Sequence, residues 1–129
     1  MLVTLPPDYR PSDSEEFMNA KQQAYFRQKL LRWRQDLLRE AEDTLASLSA
    51  GGISEADLTD RASVETDRAL ELRTRDRARK LISKIDQALQ RIESGTYGYC
   101  EETDEPIGLR RLEARPIATA RMNMLLARG

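Results

Sequence analysis

Residues 26–49 read FRQKLLRWRQDLLREAEDTLASLS, a stretch in which apolar residues recur at every third or fourth position. Because an α-helix has 3.6 residues per turn, this spacing places the apolar side chains on one face. That face consists of Phe26, Leu30, Trp33, Leu37, Ala41, Leu45 and Leu48. No proline or glycine lies between residues 17 and 49, so the stretch predicts one long amphipathic helix whose apolar face is a packing seam.

A second run without proline or glycine extends from about residue 58 to residue 94. Its C-terminal half repeats the helical spacing at Ala78, Leu81, Ile85, Ala88 and Ile92. Nearer the start of the run, the same register holds Thr74, Glu71 and Asp67, which predicts a weaker seam there. Two matched amphipathic helices joined by a short turn bury their apolar faces against each other. We therefore expect a mainly α fold, a long antiparallel coiled-coil hairpin.

The flanking segments suggest the boundaries of the hairpin. Residues 1–12 hold three of the five prolines and are expected to be extended. Ser12 or Asp13 can cap the first helix, so the hairpin is expected over 13–94, with its tip at about 50–62 around two adjacent glycines. Gly95 fits a helix C-cap. Residues 95–129 are expected to form a small globular lobe, irregular over residues 97–116, and a short terminal helix from about residue 118.

Composition excludes several classes of protein. The chain has 21 basic and 22 acidic residues, and a net charge of −1 argues against simple electrostatic capture of DNA. Nothing approaches a membrane-spanning apolar run, and the N-terminus lacks the pattern of a signal peptide. The single cysteine excludes an internal disulfide, and together these features predict a cytoplasmic protein.

No catalytic constellation is present in the sequence. The chain has no histidine, no glycine-rich phosphate loop, and one cysteine without an obvious base partner. We therefore expect that the protein is not an enzyme.

The charged residues are sorted by sign along the predicted hairpin. Residues 40–60 contain six acids and no lysine or arginine, whereas residues 68–84, here called the basic segment, contain seven bases against two acids. A basic run of this kind is also typical of a solvated helix face. Helix capping would likewise explain the two aspartates, with Asp57 at the N-cap and Asp60 in the first turn. An acidic tip beside a basic segment nevertheless favours insertion into a protein cavity over binding along a phosphate backbone.

Four strings along the chain resemble the DksA-type regulators of bacterial RNA polymerase. FMNAKQQAYFRQKLLRWR at 17–34 is similar to the opening of the family's first helix, and DLTDRA at 57–62 to its Asp-x-x-Asp-x-Ala tip motif. LELRTRDRARKLISKI at 70–85 resembles the returning helix, and GYCEETDEPIGLRRLEARP at 98–116 the C-terminal lobe. The strings occur in the family's order and spacing and cover nearly the whole chain.

The resemblance implies a monomer that enters the secondary channel of RNA polymerase and alters the stability of promoter complexes in the stringent response. It implies inhibition of ribosomal RNA promoters and activation of some amino-acid biosynthesis promoters, together with guanosine tetraphosphate (ppGpp). It implies neither sequence-specific DNA binding nor membrane association. By motif, the tip effectors are Asp57, Asp60 and Ala62, and the polymerase and ppGpp interface comprises Arg73, Arg77, Leu81, Lys84 and Arg115. Lys84 and Arg115 match the residues that hold ppGpp.

The sequence departs from the family at its zinc site. The four usual zinc cysteines fall at Cys100, Thr103, Arg121 and Met124, so one sulfur ligand of the expected kind remains. A structural zinc needs about four nitrogen, sulfur or carboxylate ligands, and we therefore expect no zinc and no other cofactor. A family lysine linked to ppGpp aligns with Leu125, and Arg128, three residues further on, is a candidate replacement.

Two other functions are compatible with parts of the sequence. A transcript cleavage or elongation factor of the Gre type also uses an acidic helical hairpin, but it carries a larger β-rich C-terminal domain than the residues after Gly95 can form. A helical-hairpin adaptor with another partner is the third candidate. Co-purification with RNA polymerase would separate it from the first.

Overall fold

The computed structural model describes residues 4–52 and 61–120. Over these ranges the chain forms α1 (Ala20–Gly52), α2 (Arg61–Ser94) and the short α3 (Leu109–Ala114). The fold is mainly α, with the two long helices packed as a hairpin, as the sequence predicted. No strand occurs in the described ranges, where the sole β contact is an isolated bridge between Tyr99 and Pro106. Neither long helix, over those same ranges, is apolar enough to span a bilayer.

The chain divides into two compact units. One unit contains residues 1–32 and 84–129, and is here called the base unit; the other contains Trp33–Ser83 and is called the distal unit. Each long helix contributes to both units, so the division follows the packing rather than the secondary structure.

The base unit contains the hydrophobic core. Phe26 and Leu30 of α1 and Ile85 of α2 are completely buried, as is Leu112 of α3. The ring of Phe26 lies 5.7 Å from that of Tyr97, whose hydroxyl donates to the carbonyl oxygen of Pro116 at 2.8 Å. Burial raises the pKa of Tyr97. The seam residues of both long helices therefore pack with the C-terminal lobe in one core.

The distal unit has a weaker seam. None of its residues with a described side chain, 33–49 and 64–83, is fully buried. The α1 stripe is half-buried from Trp33 to Leu48, and the α2 register places half-buried Asp67, Glu71 and Thr74 at seam positions. Charged groups cannot be taken fully out of water without a partner, so this seam stays partly solvated. The prediction of a weaker seam in this part of the hairpin is confirmed.

The first helix begins later than the sequence predicted. Asn19, rather than Ser12 or Asp13, caps α1, since its Oδ1 accepts from the backbone N–H of Gln22 at 2.8 Å. Ser12 and Glu15 form a separate turn before the helix, in which Glu15 Oε1 accepts a hydrogen bond from the N–H of Ser12 at 3.1 Å. Met18 has φ 55°, a left-handed conformation that an α-helix cannot contain. The predicted start at 13 is therefore wrong.

The second helix ends where the sequence predicted. Gly95 has φ 83°, and the N–H groups of Gly95 and Thr96 donate to the carbonyl oxygens of Ile92 and Arg91 at 3.3 and 2.9 Å. These two bonds form a Schellman motif, which satisfies carbonyl groups that the end of a helix leaves open.

The lobe differs from the prediction in one element. Residues 97–116 were expected to be irregular, but they include α3, whose Leu109 and Leu112 are buried. A spacing of three residues between two leucines is compatible with a helical turn, yet six residues are too few for a recognisable period. The predicted terminal helix from about residue 118 falls mainly on residues outside the described ranges.

The segment before α1 forms one wall of the lobe. The fully buried side chain of Gln22 accepts from the N–H of Met18 at 2.7 Å, which holds the segment against the first turn of α1. Phe17 packs edge-on against Tyr99 at 5.5 Å. Gly98 has φ 92°, and a Cβ there would lie 3.0 Å from Met18 Cγ, so a glycine is required. The segment and the lobe therefore pack as one body.

An ion pair joins α1 to α3 in the base unit. Lys29 Nζ lies 2.6 Å from Glu113 Oε2, with both side chains about one-third exposed. Burial raises the pKa of Glu113, but hydrogen bonds from Lys29 and Tyr25 outweigh it and leave the pKa below its usual value. The charged pair therefore contributes to the attachment of α3.

Candidate functional site

The two aspartates predicted as tip effectors lie outside the described residues. Asp57 and Asp60 are among residues 53–60, and Ala62 is in the first turn of α2, where the backbone alone is described. The roles predicted for these three residues therefore stay predictions.

The cations of the basic segment differ in whether they form an intramolecular ion pair. Arg75 Nε lies 3.2 Å from Glu71 Oε1, and Arg79 and Lys80 share Asp76 at 2.7 and 3.0 Å. Arg73 and Arg77 are exposed and make no hydrogen bond or ion pair with any residue in the described ranges. Arg73 and Arg77 are one helical turn apart, so they present two uncompensated charges on one side of α2. Leu81, one turn further on, is half-buried.

Lys84 belongs to the base unit and lines a cavity of about 370 Å³. Four cationic side chains surround this cavity, here called the basic pocket: Lys84, Arg91, Arg111 and Arg115. Residues 117–120 also line it, and Glu101 is the single carboxylate among the described lining residues. The arrangement is suited to an anionic ligand with more than one negative charge.

Hydrogen bonds hold the walls of the basic pocket. Arg111 Nε donates to the carbonyl oxygen of Ala120 at 2.9 Å, and the N–H of Glu101 donates to the carbonyl oxygen of Thr119 at 3.0 Å. Arg91 Nη1 lies 3.6 Å from Glu101 Oε1. Lys84 and Arg115 are exposed, and their side chains make no bond with another described residue.

Sequence reasoning identified two of the four cations. Lys84 and Arg115 were expected at an interface, and the structure places both on the basic pocket. Arg91 and Arg111 were missed. Arg91 follows Lys84 by seven residues, with Gln87 between them, and this helical spacing was a signal that could have found it. Arg111 had no such signal, because its position depends on α3 and on residues 117–120.

The described residues do not fit the family's zinc site. Cys100 is 1% exposed, whereas Thr103 is exposed and its hydroxyl accepts from the N–H of Glu105 at 3.4 Å. Across the described part of the chain, no three His, Cys, Asp or Glu side chains are grouped as metal ligands. One buried thiol and one hydroxyl are a poor donor set for Zn²⁺, which prefers thiolate and imidazole. Arg121 and Met124 lie outside the described ranges.

Two family models match the chain. The model described as DnaK suppressor protein DksA, N-terminal domain, matches residues 22–92. The model described as prokaryotic dksA/traR C4-type zinc finger matches residues 95–119. The zinc-finger match therefore covers a lobe whose described residues retain one of the family's zinc cysteines, Cys100.

Two similar proteins from different bacteria carry the same name. The chain is 68% identical over 112 residues to the RNA polymerase-binding transcription factor DksA of Caulobacter vibrioides, covering 87% of this chain and 79% of that protein. It is 44% identical to the Escherichia coli protein of the same name, with coverages of 85% and 73%. The solved structure of transcription factor DksA2 from Pseudomonas aeruginosa matches with a TM-score of 0.79 and 41% identity, covering 92% of this chain and 90% of that one.

Proposed function

Since this chain belongs to the DksA family, we propose that it binds bacterial RNA polymerase and regulates transcription. Its relatives in Caulobacter vibrioides and Escherichia coli are named for that activity. The observation that carries the proposal is the pair of exposed, uncompensated arginines on α2, Arg73 and Arg77. Unpaired cations beside internally paired ones give no stability to the chain itself. They are available for a partner's carboxylates.

The proposed mode of action is occupation of the polymerase secondary channel by the tip of the hairpin. Arg73, Arg77 and Leu81 would dock on the rim of the channel, while Asp57, Asp60 and Ala62 would act near the active centre. The tip would alter the lifetime of promoter open complexes without chemistry of its own. We propose that the protein is not an enzyme, acts as a monomer in the cytoplasm, and neither reads promoter sequence nor binds membranes.

The basic pocket supports a response to ppGpp. Lys84 and Arg115 were assigned to ppGpp by motif, and both line a cavity with four cations against one carboxylate. Arginine forks bind phosphate oxygens in pairs, and lysine contributes a point charge. We propose that the diphosphate groups of ppGpp bind here, at the interface with polymerase. This response would account for inhibition of ribosomal RNA promoters and activation of biosynthetic promoters in the stringent response.

The test of polymerase binding compares two arginines of one helix. Arg77→Ala should weaken binding to RNA polymerase about tenfold or more, because a charge-assisted hydrogen bond in a shielded interface contributes about 1.5–3 kcal/mol. Arg79→Ala is the matched control, since Arg79 is equally charged but already pairs with Asp76. The measurement is competition binding at fixed ionic strength. Equal losses in the two variants, or no binding by the wild type, would contradict the proposal.

We also propose that the lobe folds without zinc. Purified protein should contain no stoichiometric zinc by atomic emission, and a strong chelator should leave its thermal melting curve unchanged. The buried residues Tyr97, Ile107 and Leu112 supply the packing that a small zinc lobe otherwise obtains from its metal. Roughly one tightly bound zinc per chain, or melting of the lobe by chelator, would show that ligands beyond the described residues complete a site.

A further inference from the structure

Glu101 stands apart among the residues that line the basic pocket. It is the single carboxylate among the described lining residues, facing the charges of Lys84, Arg91, Arg111 and Arg115. Its Oε1 lies 3.6 Å from Arg91 Nη1. A structural ion pair would be expected to be short and shielded, whereas this one is long and its carboxylate is 61% exposed. An ion pair with this geometry is weak, so another anion can readily replace the Glu101 carboxylate at Arg91.

The two partners are held to different degrees. Arg91 is 20% exposed and lies in the last turns of α2, so its position is set by the helix. The backbone of Glu101 is tied to Thr119, but its side chain extends into solvent. When a stronger anion approaches Arg91, the carboxylate can swing away while its backbone still holds the pocket wall. The pocket would not have to open for the exchange.

We propose that Glu101 is an internal competitor that occupies Arg91 until a phosphorylated ligand displaces it, and so sets the affinity of the basic pocket. This inference rests on the proposed binding of ppGpp. In the free protein, the carboxylate lowers the mutual repulsion of four neighbouring cations. A diphosphate carries more negative charge than a carboxylate and accepts two hydrogen bonds from the Arg91 guanidinium. It therefore replaces the Glu101 carboxylate, and only one weak ion pair is lost. The competition raises the ppGpp concentration needed for occupancy.

The test measures ppGpp binding to the complex of the full chain with RNA polymerase. Glu101→Gln should tighten ppGpp binding about threefold to tenfold at low salt, because it removes one exposed ion pair and one repulsive charge. The gain should shrink as the salt concentration rises, since the charges are exposed. Glu102→Gln is the matched control. It makes the same charge change one residue away, outside the pocket lining, and should alter affinity much less.

A double-mutant cycle separates competition for Arg91 from a general charge effect. Arg91→Gln should weaken ppGpp binding, and in that background Glu101→Gln should lose most of its gain. If Glu101→Gln leaves affinity unchanged while Lys84→Ala weakens it, the inference is overturned but the ppGpp site stands. If the wild-type complex binds no ppGpp, both proposals are wrong. A gain in Glu101→Gln that is independent of Arg91, or equal to that of Glu102→Gln, would also overturn the inference.

Discussion

Leu30→Ala is expected to lower the free energy of unfolding by about 3–5 kcal/mol. Leu30 is 0% exposed and belongs to the base unit, which contains the hydrophobic core. Truncation to alanine removes buried methyl groups and leaves a cavity that close-packed neighbours fill only in part. A loss of this size is a large fraction of the stability of a small domain. Urea denaturation followed by far-ultraviolet circular dichroism measures it.

Leu72→Ala is the control for this prediction. The same truncation is made on the other long helix, but Leu72 is 64% exposed. Alanine is also a good helix former, so the change should lie within about 0.5 kcal/mol of zero. Similar losses for Leu30→Ala and Leu72→Ala would mean that the core does not lie in the base unit. An unchanged free energy of unfolding in Leu30→Ala would lead to the same conclusion.

Asp60→Asn is expected to remove the effect on open-complex lifetime while leaving polymerase affinity nearly unchanged. The substitution removes one charge but keeps the shape of the side chain. Asparagine is also a good N-cap residue, so much of the local capping capacity is retained. The prediction follows from the proposed division of labour, in which tip residues act inside the enzyme and the cations of α2 supply the docking energy. A promoter-complex decay curve and a competition binding curve measure the two quantities separately.

The paired variant should show the opposite behaviour. Arg77→Ala combined with Lys84→Ala should weaken binding and, in assays without ppGpp, preserve the effect on promoter complexes at saturating protein. Each lost contact contributes about 1.5–3 kcal/mol if it is shielded in the complex, and less if it remains exposed. If Asp60→Asn loses activity only because it no longer binds, the tip is a docking or capping element. The division between effect and binding would then be wrong.

The long helices could be predicted from local pattern because their signals repeat. Seven apolar positions on α1 and five on α2 follow one period, and an interruption by proline or glycine occurs in neither run. The end of α2 was equally predictable, because Gly95 has the conformational freedom that a left-handed cap requires. The start of α1 was not. Both Ser12–Asp13 and Asn19 could cap the helix, and the contact between Gln22 and Met18 fixes Asn19 as the N-cap residue.

The candidate site, too, was only partly predictable from the sequence. Arg73, Arg77, Lys84 and Arg115 were predicted by motif, but a sequence does not state which cations have intramolecular partners. In the described ranges, Asp76 pairs with Arg79 and Lys80, and Glu71 with Arg75, and these pairings distinguish a stabilised helix surface from one that is available to a partner.

The sequence by itself determined the two amphipathic helices, the weak seam near the tip and the family to which the chain belongs. Each of these depends on neighbours within a few turns of helix, or on motifs in a set order. Only the tertiary structure decided that Arg91, Arg111 and Glu101 share a pocket with Lys84 and Arg115. Those residues come from α2, the lobe and α3, and their proximity arises because burial of Phe26, Tyr97 and Leu112 in one core brings distant segments together.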